Sequence, residues 1–152
     1  MNLIFKDIEH EQFYEGNLRM THSQNDPYRQ AFFYILGLTP QTRQNIRDLY
    51  NYEEQAIHLE ALDQGWQTST SVKMTRLAFN LYNGYTGDAE TGRDHPRNYS
   101  PYQLFDTGLM PYFFEAIKLR YAEYDRSYAQ YMSFVDTPTT NFNEREYLEV
   151  DY

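Results

Sequence analysis

The segment between residues 85 and 99 holds a compact set of side chains that suit acid–base or phosphate chemistry. Arg93, Asp94 and His95 are consecutive in it, and Arg97 follows shortly after. An imidazole beside a carboxylate can take up and release a proton, while guanidinium groups bind phosphate oxygens well. Connections of this length are long for a small domain and are often functional. Arg93, Asp94 and His95 are therefore the candidate site of a small enzyme or a nucleotide-binding protein.

The rest of the sequence lacks the motifs of well-defined enzyme classes. No histidine pair has the His-x-x-x-His spacing of a helix-borne zinc site. The pair His58-x-Glu60 resembles the start of a zinc deaminase motif, but the required cysteines are absent. The chain also has no Gly-x-x-x-x-Gly-Lys phosphate loop, no Gly-x-Gly-x-x-Gly and no Gly-x-Ser-x-Gly. We therefore assign no catalytic residue, expect no metal and no cofactor, and favour a non-enzymatic protein.

The candidate loop follows the most apolar helix that the sequence predicts. Val72, Leu77 and Leu81 have helical spacing, and the residues between them widen the apolar stripe to nearly every side. Ser71 is the predicted N-cap, because its hydroxyl can accept a hydrogen bond from the first turn. Gly84 is predicted to end the helix in the left-handed conformation. We expect this helix to lie in the core, immediately before the loop.

Further helices are predicted from short polar residues that precede proline or an acidic first turn. Asp7 precedes two glutamates, which the helix dipole favours near the N-terminus. The combination of a capping side chain with proline at the first helical position recurs at Asp26-Pro27, Thr39-Pro40 and Ser100-Pro101. Pro111 begins the last strong helix.

These signals predict an all-α fold: a single compact bundle of about five helices with a long loop (85–99) and an acidic C-terminal tail. The expected organisation is a helical domain over residues 1–133 and a tail over residues 134–152 that is either disordered or binds a partner. Periodicity does not distinguish helix from irregular structure ahead of the central helix. The alternative is therefore an α+β fold in which residues 2–5 and part of 55–70 form a small sheet.

The charge and the aromatic content of the chain favour some classes of binding partner over others. The 152 residues include 22 acidic and 13 basic ones, a formal net charge of −9, and 18% are aromatic, among them 16 tyrosines. This excess of negative charge argues against direct binding of nucleic acid, whose phosphates need lysine and arginine. It suits a basic partner protein, and tyrosine-rich surfaces suit interfaces. The alternative that acidity only keeps the protein soluble stays open.

Cysteine usage and hydropathy bear on location. The chain has no cysteine, which excludes a disulfide framework, a thiol nucleophile and a thiolate metal site. It has no apolar run of membrane-spanning length, and no signal-peptide core follows Met1. We therefore expect no membrane association and a cytoplasmic location in a bacterial host cell.

Candidate partner-binding residues lie toward the C-terminus. Tyrosines recur there at helical spacing and would share one face of the last helix if it continues to Tyr131. From Asp136 to Tyr152 the chain has five acidic residues and one arginine. Such a segment is either disordered or becomes ordered on a basic partner. The candidate contacts are Tyr124, Tyr128, Tyr131, Glu144, Glu146, Glu149 and Asp151.

Three stretches carry a resemblance to known sequences: LAFNLYNGY at residues 77–85, SPYQLF at 100–105 and AIKLRY at 116–121. In this order they resemble a family of small uncharacterised proteins from Gram-positive bacteria, their phages and integrative elements. The similarity covers about residues 3–121, and loop 86–99 departs from it. The resemblance implies no catalytic residue, because the family has no established chemistry. It implies a mobile-element setting, in which counter-defence proteins are common.

The preferred hypothesis is a non-enzymatic interaction protein that inhibits a host defence nuclease, as an anti-CRISPR protein inhibits a Cas effector. Its carboxylates and tyrosines would occupy a channel that lysine and arginine line for nucleic acid. The alternative is a small enzyme or nucleotide-binding protein that uses loop 85–99. A third hypothesis is a module that forms a homodimer through its aromatic surface.

Overall fold

The computed structural model describes residues 2–124, and these residues fold mainly as helices. The α-helices are α1 Ile8–Met20, α2 Pro27–Leu36, α3 Pro40–Gln44, α4 Ile46–Leu49, α5 Ser69–Asn83, α6 Pro101–Leu104 and α7 Met110–Arg120. Short 3₁₀ helices cover Leu59–Asp63 and Pro96–Tyr99, and two strands, β1 Tyr50–Asn51 and β2 Ala56–Ile57, pair with each other. The prediction of a mainly helical fold is confirmed for the described residues.

Helix starts follow the predicted capping residues. The carboxylates of Asp7 and Asp26 each accept a hydrogen bond from a backbone N–H of the first turn, at 2.8 and 3.0 Å. Thr39 and Ser100 cap α3 and α6 in the same way. Each bond satisfies an N–H group that the first turn of a helix leaves without a partner. Local sequence therefore decides where these helices begin.

The helix α5 begins earlier than predicted. Thr68, not Ser71, is its N-cap, and the two side chains form a reciprocal capping box. Thr68 Oγ1 accepts from the N–H of Ser71 at 3.0 Å, and Ser71 Oγ accepts from the N–H of Thr68 at 2.7 Å. The prediction was wrong because either hydroxyl suits a cap, so residue type alone does not choose between them. The other end is as predicted, since Gly84 is left-handed with φ +82°.

The core is built around α2, which packs against α1, α5 and α7. Every side chain from Ala31 to Leu36 is buried. The centroid of the Phe32 ring lies 6.4 Å from that of Phe79 and 5.1 Å from that of Tyr82, both on α5. The helix α5 contributes buried residues along its length, as expected of a core helix, but α2 is the more completely buried of the two.

The small sheet of the α+β alternative is present in part: one strand comes from segment 55–70, but the other is Tyr50–Asn51 and not residues 2–5. The two strands run antiparallel. Segment 55–70 contributes only β2 to it, and residues 2–5 form no strand. The Phe5 ring instead lies with its centroid 5.5 Å from the ring of Tyr14 on α1. This end of the chain therefore adds an aromatic side chain to the core rather than an edge to the sheet.

The compact unit of the fold ends at Arg120, and Tyr121–Tyr124 belong to a second unit. Helix α7 ends at Arg120 and Tyr121 lies in a turn, so the last helix does not continue unbroken toward Tyr131 as the tyrosine spacing suggested. The predicted boundary between residues 133 and 134 lies outside the described residues and stays a prediction. Within residues 2–124, no helix is long and apolar enough to cross a membrane.

Candidate functional site

The carboxylate of Asp94, predicted to act in the loop site, is occupied by other side chains. Arg76 of α5 donates to it from Nε at 3.0 Å, and its Nη2 lies 2.7 Å from Oδ1. Tyr99 and Asn98 donate to it as well. Burial opposes ionisation, but the hydrogen bonds from Arg76 and Tyr99 outweigh it, so the pKa of Asp94 lies below its ordinary value. Asp94 therefore anchors loop 85–99 to α5.

His95 and Arg93 flank this anchor without joining it. His95 is exposed, and its Nδ1 accepts a hydrogen bond from the backbone N–H of Arg97 at 3.1 Å, which caps the 3₁₀ helix that follows. Arg93, which precedes Asp94 in the chain, is also exposed. Within the described residues no hydrogen bond joins Asp94 to His95. The structure places the three predicted residues next to one another in the chain, but it does not assemble an acid–base pair from them.

A different surface gathers charge, around the hairpin of β1 and β2. From Asp48 to Asp63 the chain has five carboxylates and neither lysine nor arginine. All five side chains are exposed, namely those of Asp48, Glu53, Glu54, Glu60 and Asp63. We call this set the acidic hairpin surface. Arg47 lines the same grooves as Asp48, Glu53 and Glu60, so the surface carries an excess of negative charge that one guanidinium compensates only in part.

Local hydrogen bonds fix the tip of the hairpin. Tyr50 pairs with Ile57, and Asn51 pairs with Ala56. The side-chain oxygen of Asn51 accepts hydrogen bonds at 3.0 Å from the backbone N–H groups of the two following glutamates. An asparagine that bonds to the backbone ahead of it stabilises a turn. The two glutamates at the tip are therefore held in place by their own backbone.

A polar groove runs along one side of the hairpin. Its volume is about 290 Å³, and its lining is Arg47, Asp48, His58, Glu60 and Gln64. A second hollow of about 260 Å³ shares Arg47 and His58 and extends to the ring of Tyr52. The guanidinium of Arg47 lies over the ring of Tyr52, with Cζ 5.8 Å from the centroid. Within residues 2–124 the side chains of Asp48, His58 and Glu60 form no hydrogen bond or ion pair. They are thus available to a ligand, unlike the carboxylate of Asp94.

An apolar groove of about 300 Å³ lies beside β2. Its lining is Gln55, Ala56, Ile57 and Leu59 together with Tyr82, Asn83 and Tyr85 from the end of α5. The hydroxyl of Tyr82 donates to the backbone oxygen of Gln55 at 2.8 Å and lies 3.1 Å from the hydroxyl of Tyr50. Arg29 of α2 donates to the same Tyr50 hydroxyl at 3.2 Å and to the side chain of Gln55.

This network ties the hairpin to α2 and α5. Gln55 has φ +53°, a left-handed conformation that is costly for a residue with a side chain. Its backbone oxygen and its amide are both held, by Tyr82 and by Arg29. Burial and the bond to Tyr50 raise the pKa of Tyr82 far above its ordinary value, so its hydroxyl stays protonated. The apolar groove is therefore largely pre-formed.

The partner-binding residues predicted from sequence fall mostly beyond the described part. Tyr124 is 70% exposed, and its ring centroid lies 6.4 Å from that of Tyr121. Tyr128, Tyr131, Glu144, Glu146, Glu149 and Asp151 lie outside the described residues. The homodimer through the aromatic surface also stays a prediction. Within residues 2–124, no three histidine, aspartate or glutamate side chains converge as a metal site would require.

The acidic hairpin surface was not predicted from the sequence. The signal was present, because five carboxylates without a lysine or arginine between Asp48 and Asp63 are visible in the sequence. The pattern of apolar residues there fits neither a helix nor a long strand, so it does not predict which side chains of the segment face the solvent together. A two-residue strand is too short for alternation to reveal it.

Comparison with known proteins places the chain in a family. Residues 1–133 match the family of unknown function DUF6075, and the chain belongs to that family. This agrees with the expected resemblance to an uncharacterised family. No curated protein and no solved structure is significantly similar to the chain.

Proposed function

We propose that this family member is a non-enzymatic interaction protein that binds and inhibits a basic host protein. The class of partner is a defence nuclease such as a Cas effector, so the protein would act as an anti-CRISPR protein does. The observation that carries the proposal is the acidic hairpin surface, where five exposed carboxylates occur without a lysine or arginine. A phage or an integrative element of a Gram-positive bacterium is the genetic setting that we propose for it.

The physical basis is competition for a channel that binds nucleic acid. Such a channel is lined by lysine and arginine, which neutralise the phosphates and so release the counterions that surround the nucleic acid. Carboxylates on a folded protein offer the same sign of charge with the backbone already ordered, so binding costs side-chain entropy alone. The hairpin tip meets this requirement, because Asn51 fixes the backbone of Glu53 and Glu54. Complementary charge would also speed association.

The alternative function uses loop 85–99 as an enzymatic or nucleotide-binding site. It has less support, since Asp94 is committed to Arg76 and His95 to the backbone of Arg97. A proton-transfer pair would need those two side chains free and within reach of one another. Replacement of His95 by alanine tests this alternative, which predicts loss of a measurable activity with the fold intact.

DNA cleavage by a panel of purified, guide-loaded Cas effectors tests the proposed function. Each effector is assayed with and without an excess of the full-length chain. We expect the chain to abolish cleavage by at least one of them. In that pair, the double substitution Glu53→Gln/Glu54→Gln should raise the inhibitor concentration for half-maximal effect by about tenfold, as loss of complementary interface charge does.

A matched control removes the same charge elsewhere. Glu9→Gln/Glu15→Gln changes two exposed glutamates of α1 and should inhibit as the parent chain does. A third variant neutralises Glu144, Glu146, Glu149 and Asp151, which tests the predicted contribution of the tail. The proposal is wrong if no effector is inhibited, or if inhibition survives both the hairpin and the tail substitutions unchanged.

A further inference from the structure

The apolar groove and the acidic hairpin surface adjoin each other. The exposed Glu54 directly precedes Gln55, the first residue of the groove lining, while Glu53 lines the neighbouring hollow that contains Arg47. The floor of the groove comes from the aliphatic side chains of Ala56, Ile57 and Leu59. A hollow with an apolar floor and an acidic rim suits a ligand that combines an apolar group with positive charge.

The other end of the groove is also negative. Tyr85 lines this end, and burial raises the pKa of its hydroxyl. The carboxylates of Asp94, Asp88 and Asp63 raise this pKa further, while the guanidinium of Arg93 lowers it. Because Asp94 is already paired with Arg76, the remaining charges are Asp88 and Asp63 against Arg93, a small excess of negative charge at this end of the groove. Negative charge thus surrounds the apolar floor on two sides.

We propose that the apolar groove binds one aromatic or aliphatic side chain of a partner protein segment that carries lysine or arginine on both sides of it. This inference rests on the proposed function and adds to it the anchor by which the partner is held. The occupant follows from charge complementarity, because an acidic rim repels an anionic segment and attracts a cationic one. A segment without the apolar group would leave the floor unfilled.

The size of the groove also indicates a single side chain. Its volume of about 300 Å³ is at the lower limit of pockets that take small molecules, which extend to roughly 1,000 Å³. It does not accommodate a helix. In protein interfaces, a few anchors that fill such hollows contribute most of the affinity, while charged neighbours steer the encounter. The ties from Tyr82 and Arg29 keep the hollow open in advance, which lowers the cost of binding.

Calorimetric titration of the full-length chain with three synthetic peptides at low salt tests the inference. The first has phenylalanine between two pairs of lysines, the second has glycine in place of phenylalanine, and the third has phenylalanine between two pairs of glutamates. We expect the first peptide to bind about tenfold more tightly than the second, which corresponds to an anchor contribution of about 1.4 kcal/mol. The third peptide should not bind.

Variants of the groove identify where the preference arises. Ala56→Leu fills the floor and should reduce the preference for phenylalanine over glycine to about twofold or less. Leu59→Ala serves the same purpose by removing apolar surface, so the test does not depend on one variant folding. His58→Ala, in the polar groove on the other side of the hairpin, is the matched control and should keep the preference. Circular dichroism confirms the fold of each variant.

The outcomes separate this inference from the proposed function. One outcome is that the phenylalanine and glycine peptides bind with equal affinity, and that both affinities fall in Glu53→Gln/Glu54→Gln. This result would refute the anchor but would support the acidic interaction surface. Binding of the glutamate-flanked peptide would show a site for apolar groups regardless of charge and would also refute it. Absence of binding by either lysine peptide would refute the anchor and remove the electrostatic basis of the proposed function.

Discussion

The guanidinium of Arg76 lies against the carboxylate of Asp94, with 2.7 Å between Nη2 and Oδ1 across eighteen residues of sequence. The Asp94 side chain is 6% exposed and that of Arg76 20%. Removal of one member of a buried pair leaves the other charge uncompensated. The free-energy cost of that buried charge is larger than the stabilisation that the intact pair provides. The pair thus converts a long, polar connection into a fixed extension of α5.

Asp94→Asn should lower the free energy of unfolding by about 3 kcal/mol, because Arg76 loses its counter-charge in a partly buried place. Asparagine keeps the shape of the side chain and tolerates the left-handed backbone of this position, where φ is +49°. Urea unfolding measures the change. Glu90→Gln removes an exposed charge from the same loop and should change the free energy by less than about 0.5 kcal/mol. Equal effects of the two substitutions would contradict the anchor.

The same pair predicts how stability responds to acid. The folded-state pKa of Asp94 lies below the ordinary 3.8. As the pH falls, Asp94 is therefore protonated in the unfolded chain before it is protonated in the folded chain. The stabilisation from its ionised carboxylate is complete above the ordinary pKa and is lost as the pH falls through the folded-state pKa. The difference in unfolding free energy between the parent chain and Asp94→Asn should be constant near neutral pH and shrink below about pH 4. A difference that grows with acid would have the wrong sign.

Local signals and long-range contacts differ in how well the sequence predicts them. Asp7, Asp26 and Gly84 act within a few residues of their own position, so their type and context predict helix starts and ends correctly. The bond between Arg76 and Asp94 depends on how α5 packs beside the loop, which no local pattern encodes. The sequence singled out Arg93, Asp94 and His95 for a chemical role, which stays a prediction, and it gave no signal that Asp94 binds Arg76.

The hairpin surface shows the same limit. Its carboxylates are plain in the sequence, but their common exposure depends on a hairpin that Arg29 and Tyr82 hold from two different helices. Those two residues are separated from the hairpin by up to 27 positions. Only the packing of α2 against α5 brings them to the same turn, so pattern alone could not place the charges on one surface.

His10 should make the fold less stable as the pH falls below neutrality. Its ring is fully buried, with Nε2 2.7 Å from the backbone oxygen of Tyr34 and Nδ1 accepting from the N–H of Lys6. This arrangement selects the neutral tautomer protonated at Nε2. Burial is the main cause that lowers its pKa below 6.5, while the bond to Tyr34 and the charge of Asp7 oppose it.

The sign follows from proton uptake. Between the folded-state pKa of His10 and 6.5 the unfolded chain binds more protons, so the free energy of unfolding decreases as the pH falls through this window. Thermal unfolding from pH 7.5 to 5.5, with ring nitrogen shifts by NMR, measures both the loss and the tautomer. His10→Gln should remove this pH dependence, whereas substitution of the exposed His22 should leave it intact. A protonated His10 ring at pH 7 would contradict the assignment.

Tyr82→Phe tests the ties that hold the hairpin. The lost hydroxyl leaves the backbone oxygen of Gln55 and the hydroxyl of Tyr50 each without one partner, at a cost of about 1–2 kcal/mol in total. Hydrogen exchange at the amide of His58, which donates to Leu49 beside the hairpin, should become faster. Tyr102→Phe is the control, because that side chain is 86% exposed and its loss of a hydroxyl should change nothing measurable. Unchanged exchange in Tyr82→Phe would show that the hairpin does not depend on this tie.

Two glycines of the loop separate backbone strain from close packing. Gly87 and Gly92 are both left-handed, with φ +77° and +75°. A Cβ on Gly92 meets no atom within 4 Å, whereas one on Gly87 would lie 1.6 Å from the backbone oxygen of Asp94. Gly92→Ala should therefore cost only the left-handed conformation, about 1–2 kcal/mol, and Gly87→Ala roughly 1–3 kcal/mol more.

The excess cost of Gly87→Ala arises at the anchor, since the added methyl group must displace the backbone of Asp94, whose carboxylate binds Arg76. It should consequently be smaller in a chain that already carries Asp94→Asn, and urea unfolding of the four variants in a double-mutant cycle measures this coupling. Gly92→Ala should add its cost to Asp94→Asn independently. If the costs of Gly87→Ala and Asp94→Asn were additive, the two substitutions would not be coupled. The close approach of residues 87 and 94 would then contribute to packing, and the ion pair would not depend on that close approach.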